Sequence, residues 1–192
     1  MMMLSRNRSH SRSKRHWRCR ATGLFLALSI ALLVAGCTRM PDGVRPVEGF
    51  ELERYLGQWY EIARLDHRFE RGLTRVTAEY SLREDGGVRV LNRGYSAAKG
   101  EWQEVEGKAY FVERPDLGHL KVSFFGPIYS SYVVFELDEK GYQYSFISGH
   151  DTSYLWLLAR TPTVDAGILQ RFMQRAAALG FDTDALILVA QD

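Results

Sequence analysis

Apolar and polar residues alternate with a period of two in several short runs between residues 50 and 161, which is typical of β-strands with one buried face. Turn-forming residues separate these runs at roughly 8–12-residue intervals, as in an all-β barrel or sandwich. The turns Asp85-Gly86-Gly87 and Lys140-Gly141 favour hairpins, and sequential pairing would give an up-and-down antiparallel sheet. Eight strands are predicted, over residues 58–65, 75–83, 88–95, 104–112, 120–125, 132–137, 142–148 and 154–160.

The alternation also predicts which side chains face inward. Three runs have a clear inward set: Val76, Ala78, Tyr80 and Leu82 in the second, Val105, Gly107, Ala109 and Phe111 in the fourth, and Leu120, Val122 and Phe124 in the fifth. In the run 132–137 both parities are apolar, so its inward face stays open.

The periodicity changes after Pro162. Ile168, Leu169, Phe172 and Met173 begin an apolar stripe at helical spacing, and Gly180 stands where a helix would end. This pattern predicts one amphipathic α-helix over about 165–179, packed outside the sheet. The apolar segment 186–189 is predicted to form one more strand.

The first 36 residues have the pattern of an export signal. Seven Lys and Arg residues and no acidic residue precede an apolar run of about 16 residues, which is short for a membrane-spanning helix. Val34-Ala35-Gly36-Cys37 resembles the lipobox of bacterial lipoproteins, in which the signal is cut before a cysteine that receives lipid. We therefore expect a signal peptide over 1–36, a lipidated tether over 37–49 and a domain over 50–192. An uncleaved anchor and a soluble secreted form are the alternatives.

The chain is less basic than its composition suggests once the leader is set aside. Seven of the 25 Lys and Arg residues, but none of the 23 Asp and Glu residues, lie in 1–36, which leaves an acidic excess of about five. This balance removes the electrostatic support for nucleic-acid binding. Beyond Cys37 there is no cysteine, and His67, His119 and His150 lack metal-ligand or catalytic spacing. We expect no metal, no cofactor and loop positions for these histidines.

Several sequence segments resemble one known family. Gly57-Gln58-Trp59 is similar to the G-x-W signature that opens lipocalins, and Arg160, in Leu158-Ala159-Arg160-Thr161-Pro162, is similar to their third conserved region. Asp66 to Gly72 and Lys121 to Pro127 resemble the bacterial outer-membrane lipocalins, relatives of apolipoprotein D. Of the family's second region, only Tyr132 in Ser130-Ser131-Tyr132 matches.

The resemblance implies an eight-stranded up-and-down antiparallel β-barrel with a ligand-binding interior. It also implies that Arg160 packs across Trp59 at the closed base. If Arg160 faces inward, Tyr154, Trp156 and Leu158 of the last run share its side. Together with aromatic residues of other runs, they give the predicted ligand-binding lining: Tyr80, Phe111, Phe124, Phe146, Tyr154, Trp156 and Leu158. Arg68 and Arg71, in the loop over the open mouth, are candidates for contacting a lipid headgroup, and a solvated loop with internal ion pairs is the alternative.

We therefore expect a non-enzymatic carrier of a hydrophobic small molecule, a fatty acid or a lysophospholipid, for lipid storage or transport in envelope maintenance. The residue after Cys37 is Thr38 rather than Asp, which fits the general sorting rule for lipoproteins of the outer membrane that face the periplasm. The protein would contact the membrane through the lipid anchor. The resemblance also implies a possible homodimer. A lipid-modifying enzyme on the same barrel and a structural envelope lipoprotein with a filled barrel are the alternatives.

Overall fold

The computed structural model describes residues 38–192, and Cys37–Asp192 is a compact unit of its own. The predicted signal peptide over 1–36 and the predicted lipid-attachment residue Cys37 lie outside the described residues. The described residues form nine strands: β1 Gly57–Arg64, β2 Leu73–Leu82, β3 Val88–Ser96, β4 Glu101–Phe111, β5 His119–Ser123, β6 Ser130–Leu137, β7 Tyr144–Ser148, β8 Leu155–Ala159 and β9 Ile187–Leu188. The helices are α1 Leu52–Tyr55 and α2 Ala166–Ala178, followed by a 3₁₀ turn at Thr183–Ala185.

The sheet closes into an eight-stranded antiparallel barrel. Consecutive strands pair from β2 to β8, β8 pairs with β1, and β1 returns to β2 through Gly57–Tyr60, opposite Thr77–Tyr80. Closure removes the sheet edges that would otherwise be open to aggregation. The predicted fold class is therefore confirmed, including the up-and-down order and the C-terminal helix. We call the end with the β1–β2, β3–β4, β5–β6 and β7–β8 connections the mouth, and the other end the base.

Two apolar clusters lie on opposite sides of the barrel wall. The inner cluster includes Trp59, Tyr80 and Leu158, and the outer cluster includes Phe146 and Phe172 of α2. In β6, whose inward face the sequence left open, Tyr132 and Val134 belong inside, whereas Val133 and Phe135 face α2. Both parities of β6 are apolar because both of its faces are covered.

Helix α2 is stabilised because its apolar face packs on the outer wall of the barrel. Phe172 and Ala176 are fully buried against the barrel, and the ring centroids of Phe172 and Phe146 lie 5.0 Å apart. On the flank of the helix, Arg171 and Arg175 both pair with Glu136 of β6. Packing of one apolar face supplies most of the stability of a helix of this length. No helix within residues 38–192 is long and apolar enough to cross a membrane.

Part of the predicted tether packs on the barrel. Val44 is fully buried in the outer cluster, and the backbone N–H of Val47 donates to Val134 O at 2.9 Å. The N–H of Gly118 in turn donates to Val47 O at 2.9 Å. The packed domain therefore starts before Phe50, where the sequence placed its beginning. The sequence predicted a tether over 37–49, but within it Val44 is fully buried and Val47 is partly buried.

The C-terminal segment fills the gap where β1 and β2 diverge toward the mouth. Strand β9 pairs with Ala63 and Arg64 of β1, as the predicted last strand requires. Gln191 then donates its side-chain amide to Glu61 O at 2.7 Å and to the β2 carbonyl of Val76 at 3.0 Å. These bonds satisfy carbonyls that lack a partner in the β1–β2 ladder, so the barrel wall stays closed there.

Candidate functional site: the barrel cavity

The barrel encloses a cavity of about 730 Å³ that opens at the mouth. Small and branched side chains that point inward from β2 to β5 line part of it, including Ala78, Val90, Ala109 and Val122. Period-two alternation places these residues on one face of the sheet. The surface is mostly apolar, with a few polar groups at the floor and at the mouth. Such a space suits one small ligand with a long apolar part.

Five of the seven predicted lining residues border the cavity: Tyr80, Phe124, Tyr154, Trp156 and Leu158. Phe111, the last residue of β4, instead packs below the cavity floor, with its ring centroid 6.1 Å from that of Phe50. The prediction for Phe146 is wrong. Its ring faces outward to α2, because Ser145 and Ile147 take the inward positions of β7.

A chain of hydroxyl groups crosses the cavity floor. The Tyr132 hydroxyl lies 2.7 Å from that of Tyr55 and 2.9 Å from that of Tyr80, and the Tyr55 hydroxyl donates to Ser145 Oγ at 3.2 Å. Burial raises the pKa of Tyr55 to about 12 and raises those of Tyr80 and Tyr132 well above their usual value. These phenols are therefore neutral, and they can offer a hydrogen bond to the polar atom of a ligand that reaches the floor. The sequence reasoning missed Tyr55 and Tyr132 as site residues.

A buried ionic cluster lies beside the mouth. Arg64 donates to Glu61 Oε1 at 2.6 Å, and its other terminal nitrogen donates to Glu70 O at 2.8 Å. Glu70 Oε2 lies 2.8 Å from His67 Nε2 and accepts from the Trp156 indole at 3.2 Å. All of these side chains except Trp156 are buried, and His67 has the predicted loop position but packs inward from it. His67 lines the cavity because the β1–β2 loop folds back over the mouth.

The two carboxyl groups of this cluster titrate in opposite directions. Burial raises the pKa of Glu61 well above its usual value, and the charge of Glu70 adds to this effect. Burial alone would raise the pKa of Glu70 as well, but contacts with His67, Trp156 and Glu61 outweigh it and lower that pKa. Of the two carboxyl groups, Glu61 therefore keeps its proton to higher pH than Glu70 does.

The two mouth arginines have different surroundings. Arg68 lines the cavity mouth, with its guanidinium carbon 4.7 Å from the centre of the Phe69 ring. Arg71 does not border the cavity. Its guanidinium pairs with the exposed Asp66 at 2.7 Å, which is the internal ion pair that the alternative interpretation of this loop described.

Trp59 and Arg160 meet at the base. The Arg160 guanidinium carbon lies 3.9 Å from the Trp59 ring centre, and the indole donates to Tyr55 O at 2.8 Å. Arg160 also donates to the carbonyls of Gln58 at 2.8 Å and Arg54 at 2.7 Å. This one side chain thus joins β1, α1 and β8 beneath the cavity, where it can seal the barrel without touching a ligand.

One polar arrangement at the mouth could do chemistry. Ser130 Oγ lies 3.0 Å from His150 Nδ1, and His150 Nε2 lies 3.1 Å from Asp151 Oδ2. A hydroxyl, an imidazole and a carboxylate in this order can activate the hydroxyl as a nucleophile. Ser130 and His150 both border the cavity. Within residues 38–192, no group of three or more His, Cys, Asp or Glu side chains is placed to hold a metal ion.

A closed eight-stranded barrel with an inner ligand cavity, a base sealed by Trp and Arg, and one outer helix defines a lipocalin. The family model described as "Lipocalin-like domain" matches residues 50–191, and the chain belongs to this family. It is 62% identical over 168 residues to "Outer membrane lipoprotein Blc" of Vibrio cholerae, covering 88% of this chain and 98% of that protein. It is 50% identical over 170 residues to the protein of the same name in Escherichia coli, covering 88% and 96%.

Solved structures show the same fold at low sequence identity. The cockroach allergen Per a 4 superimposes with a TM-score of 0.62 at 21% identity, over 81% of this chain and 96% of the allergen. At this identity the likeness supports the barrel architecture alone.

Proposed function

We propose that this lipocalin is anchored to the outer membrane, faces the periplasm and carries or stores a fatty acid or a lysophospholipid in its barrel cavity for envelope maintenance. The observation that carries this proposal is the cavity itself, about 730 Å³ in volume, mostly apolar and open at one end. The outer-membrane location is supported by the names of the Vibrio cholerae and Escherichia coli relatives.

Apolar contact alone supplies enough binding free energy. Each buried methylene contributes about 0.8 kcal/mol, so an acyl chain of about sixteen carbons offers about 12 kcal/mol before the cost of ordering the ligand. Micromolar affinity requires about 8 kcal/mol. A charged partner inside the cavity is therefore unnecessary, which fits a lining made mainly of Val, Ala, Leu and aromatic side chains.

The polar groups would fix the direction of the ligand. A headgroup left at the mouth lies near Arg68, and the acyl chain runs down between Trp156 and the small residues of β2 to β4. The phenols of Tyr80 and Tyr132 limit how deep an apolar chain end can go, because their hydroxyls form the hydrogen-bonded floor.

The proposed anchor, Cys37, would hold the domain close to the membrane. Pro41 is already buried in the packed domain, and four residues of extended chain span at most about 14 Å. A lipid on Cys37 would therefore leave little freedom for the barrel to move away from the bilayer surface.

Hydrolysis of a lipid ester is a second candidate function, because Ser130, His150 and Asp151 lie in hydrogen-bonding sequence at the mouth. In this reaction Ser130 Oγ would attack the ester carbonyl, and the imidazole would take the hydroxyl proton and give it to the departing alcohol. Water would then hydrolyse the acyl-serine ester, which releases the fatty acid and restores the serine hydroxyl. The side chains of His150 and Asp151 are 39% and 53% exposed. Because water screens such a pair, we place this function second.

Native mass spectrometry of residues 38–192 after incubation with a lysophospholipid tests both functions. Carriage predicts a complex with intact lipid, and hydrolysis predicts a free fatty acid whose release stops in the Ser130→Ala variant. A filled structural barrel predicts no lipid adduct, which would contradict the proposed function. The same spectra give the mass of any homodimer.

A further inference from the structure

The mouth carries a continuous apolar rim. Phe69 of the β1–β2 loop and Phe125 of the β5–β6 loop are 53% and 64% exposed, and their rings stack with centroids 6.2 Å apart. Ile128, on the β5–β6 loop, is 73% exposed. All three also border the cavity. A joined group of large apolar side chains in water marks an interaction surface, whereas single exposed ones need no explanation.

Cations stand beside this rim. Arg68 stacks on Phe69, and the Lys121 ammonium lies 5.4 Å from the centre of the Tyr129 ring in the same β5–β6 loop. Across residues 38–192, neither Arg68 nor Lys121 has a carboxylate within 4.0 Å. The mouth therefore presents unpaired positive charge in a domain whose Asp and Glu residues exceed its Lys and Arg residues.

We propose that this mouth rim, formed by Phe69, Phe125 and Ile128 with Arg68 and Lys121, is a docking surface for an anionic lipid membrane. Aromatic and aliphatic side chains would enter the boundary between headgroups and acyl chains. The two cations would remain at headgroup level, where each gains attraction from anionic lipids. This contact is separate from the proposed lipid on Cys37, and it does not depend on what occupies the cavity.

The charge pattern favours a membrane over a second copy of the chain. In a two-fold dimer through the rim, each copy would bring the same set of residues, which holds two cations and no acidic residue, so Arg68 and Lys121 would gain no counter-charge. An anionic bilayer offers acyl chains to the apolar residues of the rim and negative headgroups to its two cations. Docking would also place the cavity opening against the acyl region, so that a lipid could enter without crossing water.

Flotation with vesicles tests the proposal on residues 38–192, the compact barrel that carries no lipid anchor. Vesicles of phosphatidylcholine with phosphatidylglycerol should carry the protein upward, and pure phosphatidylcholine vesicles should carry less. Replacing both Phe125→Ser and Ile128→Ser should weaken binding at least about tenfold. Leu82→Ser is the matched control, because Leu82 is 58% exposed at the base end of β2.

Removing the charges should also weaken binding. Arg68→Gln with Lys121→Gln should lower binding to the anionic vesicles about tenfold and reduce its salt dependence. Lys140→Gln, in the exposed β6–β7 turn at the base, should have no effect. Absence of vesicle binding by the unsubstituted domain, or equal losses in the rim and base variants, would overturn the proposal.

Site-specific labels give a second readout that does not rely on loss of binding. Residues 38–192 contain no cysteine, so a single environment-sensitive dye can be attached at Phe125→Cys or at Leu82→Cys. Anionic vesicles should shift the emission of the dye at position 125 to shorter wavelength and leave the dye at position 82 unchanged. A shift at position 125 that grows with protein concentration in the absence of vesicles would instead identify the rim as a contact between copies and contradict the proposal.

Discussion

The indole nitrogen of Trp156 donates a hydrogen bond to Glu70 Oε2 at 3.2 Å, which ties β8 to the β1–β2 loop at the cavity mouth. Glu70 also contacts His67, and Arg64 holds the Glu70 backbone carbonyl. The barrel thus carries a buried ionic cluster next to its apolar cavity. Such a cluster is costly to bury unless its polar groups have partners, and here Arg64 donates to Glu61 while Glu70 contacts His67 and Trp156.

The raised pKa of Glu61 predicts a specific pH dependence of stability. In the unfolded chain Glu61 is half ionised at pH 4.5, its usual pKa, whereas folded Glu61 keeps its proton to higher pH. The free energy of unfolding therefore falls as pH rises from 4.5 through the raised pKa. Glu61→Gln should remove this loss, because glutamine stays neutral and can still accept from Arg64. Urea denaturation should show that the free energy of unfolding of the variant, relative to that of the unsubstituted protein, is higher at neutral pH than just above pH 4.5.

Two comparisons make the Glu61 result specific. Glu53→Gln, an exposed residue of α1, should follow the parent at every pH. The lowered pKa of Glu70 acts in the opposite direction, since its stabilisation is present above pH 4.5 and is lost as pH falls through the lowered value. A Glu61→Gln variant with the same pH slope as the parent would mean that Glu61 is ionised in the folded state.

Arg160→Ala should destabilise the barrel and spare ligand binding. The guanidinium stacks on Trp59 and bonds the carbonyls of Gln58 and Arg54, so its loss should lower the free energy of unfolding by about 2–4 kcal/mol. Arg83→Ala, which breaks an exposed pair with Asp85, should cost about 1 kcal/mol or less. Urea denaturation measures both. A lipid affinity that falls while stability is kept would place Arg160 in the cavity.

Most of the fold could be predicted from strand periodicity and turns, because in a closed antiparallel barrel the inward positions of each strand are apolar and the outward positions are mostly polar. The same rule placed Tyr154, Trp156 and Leu158 on the cavity side from the single assumption about Arg160. It failed for Phe146, because α2 covers that stretch of wall and makes the outward positions apolar too. Alternation identifies a face only where the other face is polar.

The polar parts of the site were harder to predict. Glu61, His67 and Glu70 look like surface residues in sequence, and only the return of the β1–β2 loop buries them together. The floor phenols come from α1, β2 and β6, which are distant in the chain. Contacts of this kind depend on tertiary folding, for which local sequence carries no signal.

Phe146→Ala should reduce stability without affecting ligand binding. Removing a fully buried ring between α2 and β7 leaves a void outside the barrel, and we expect a loss of about 3–5 kcal/mol. Val90→Phe gives the reverse case, because it adds volume inside the cavity and should lower lipid affinity with a smaller change in stability. Urea denaturation and lipid titration separate the two. Weaker lipid binding by correctly folded Phe146→Ala would contradict the outward placement.

Cys37→Ser should abolish lipid modification and release the protein from the membrane. The prediction rests on the small residues directly before Cys37 and on the absence of any later cysteine. Labelling cells with radioactive palmitate and separating the membrane fraction measures both effects. A labelled, membrane-bound Cys37→Ser protein would show that the anchor lies elsewhere.

Lipid affinity should depend mainly on acyl length and only weakly on headgroup charge. The cavity is lined by apolar side chains, so each methylene that stays inside should strengthen binding by up to about 0.8 kcal/mol until about 730 Å³ is filled. Arg68 at the solvent-exposed mouth should add about 1 kcal/mol or less, and salt should reduce that part. Titrating a series of fatty acids and lysophospholipids against residues 38–192, in low and high salt, measures both contributions. Affinity that ignores chain length but collapses in high salt would mean that the ligand is held by its headgroup at the mouth rather than by its chain in the cavity.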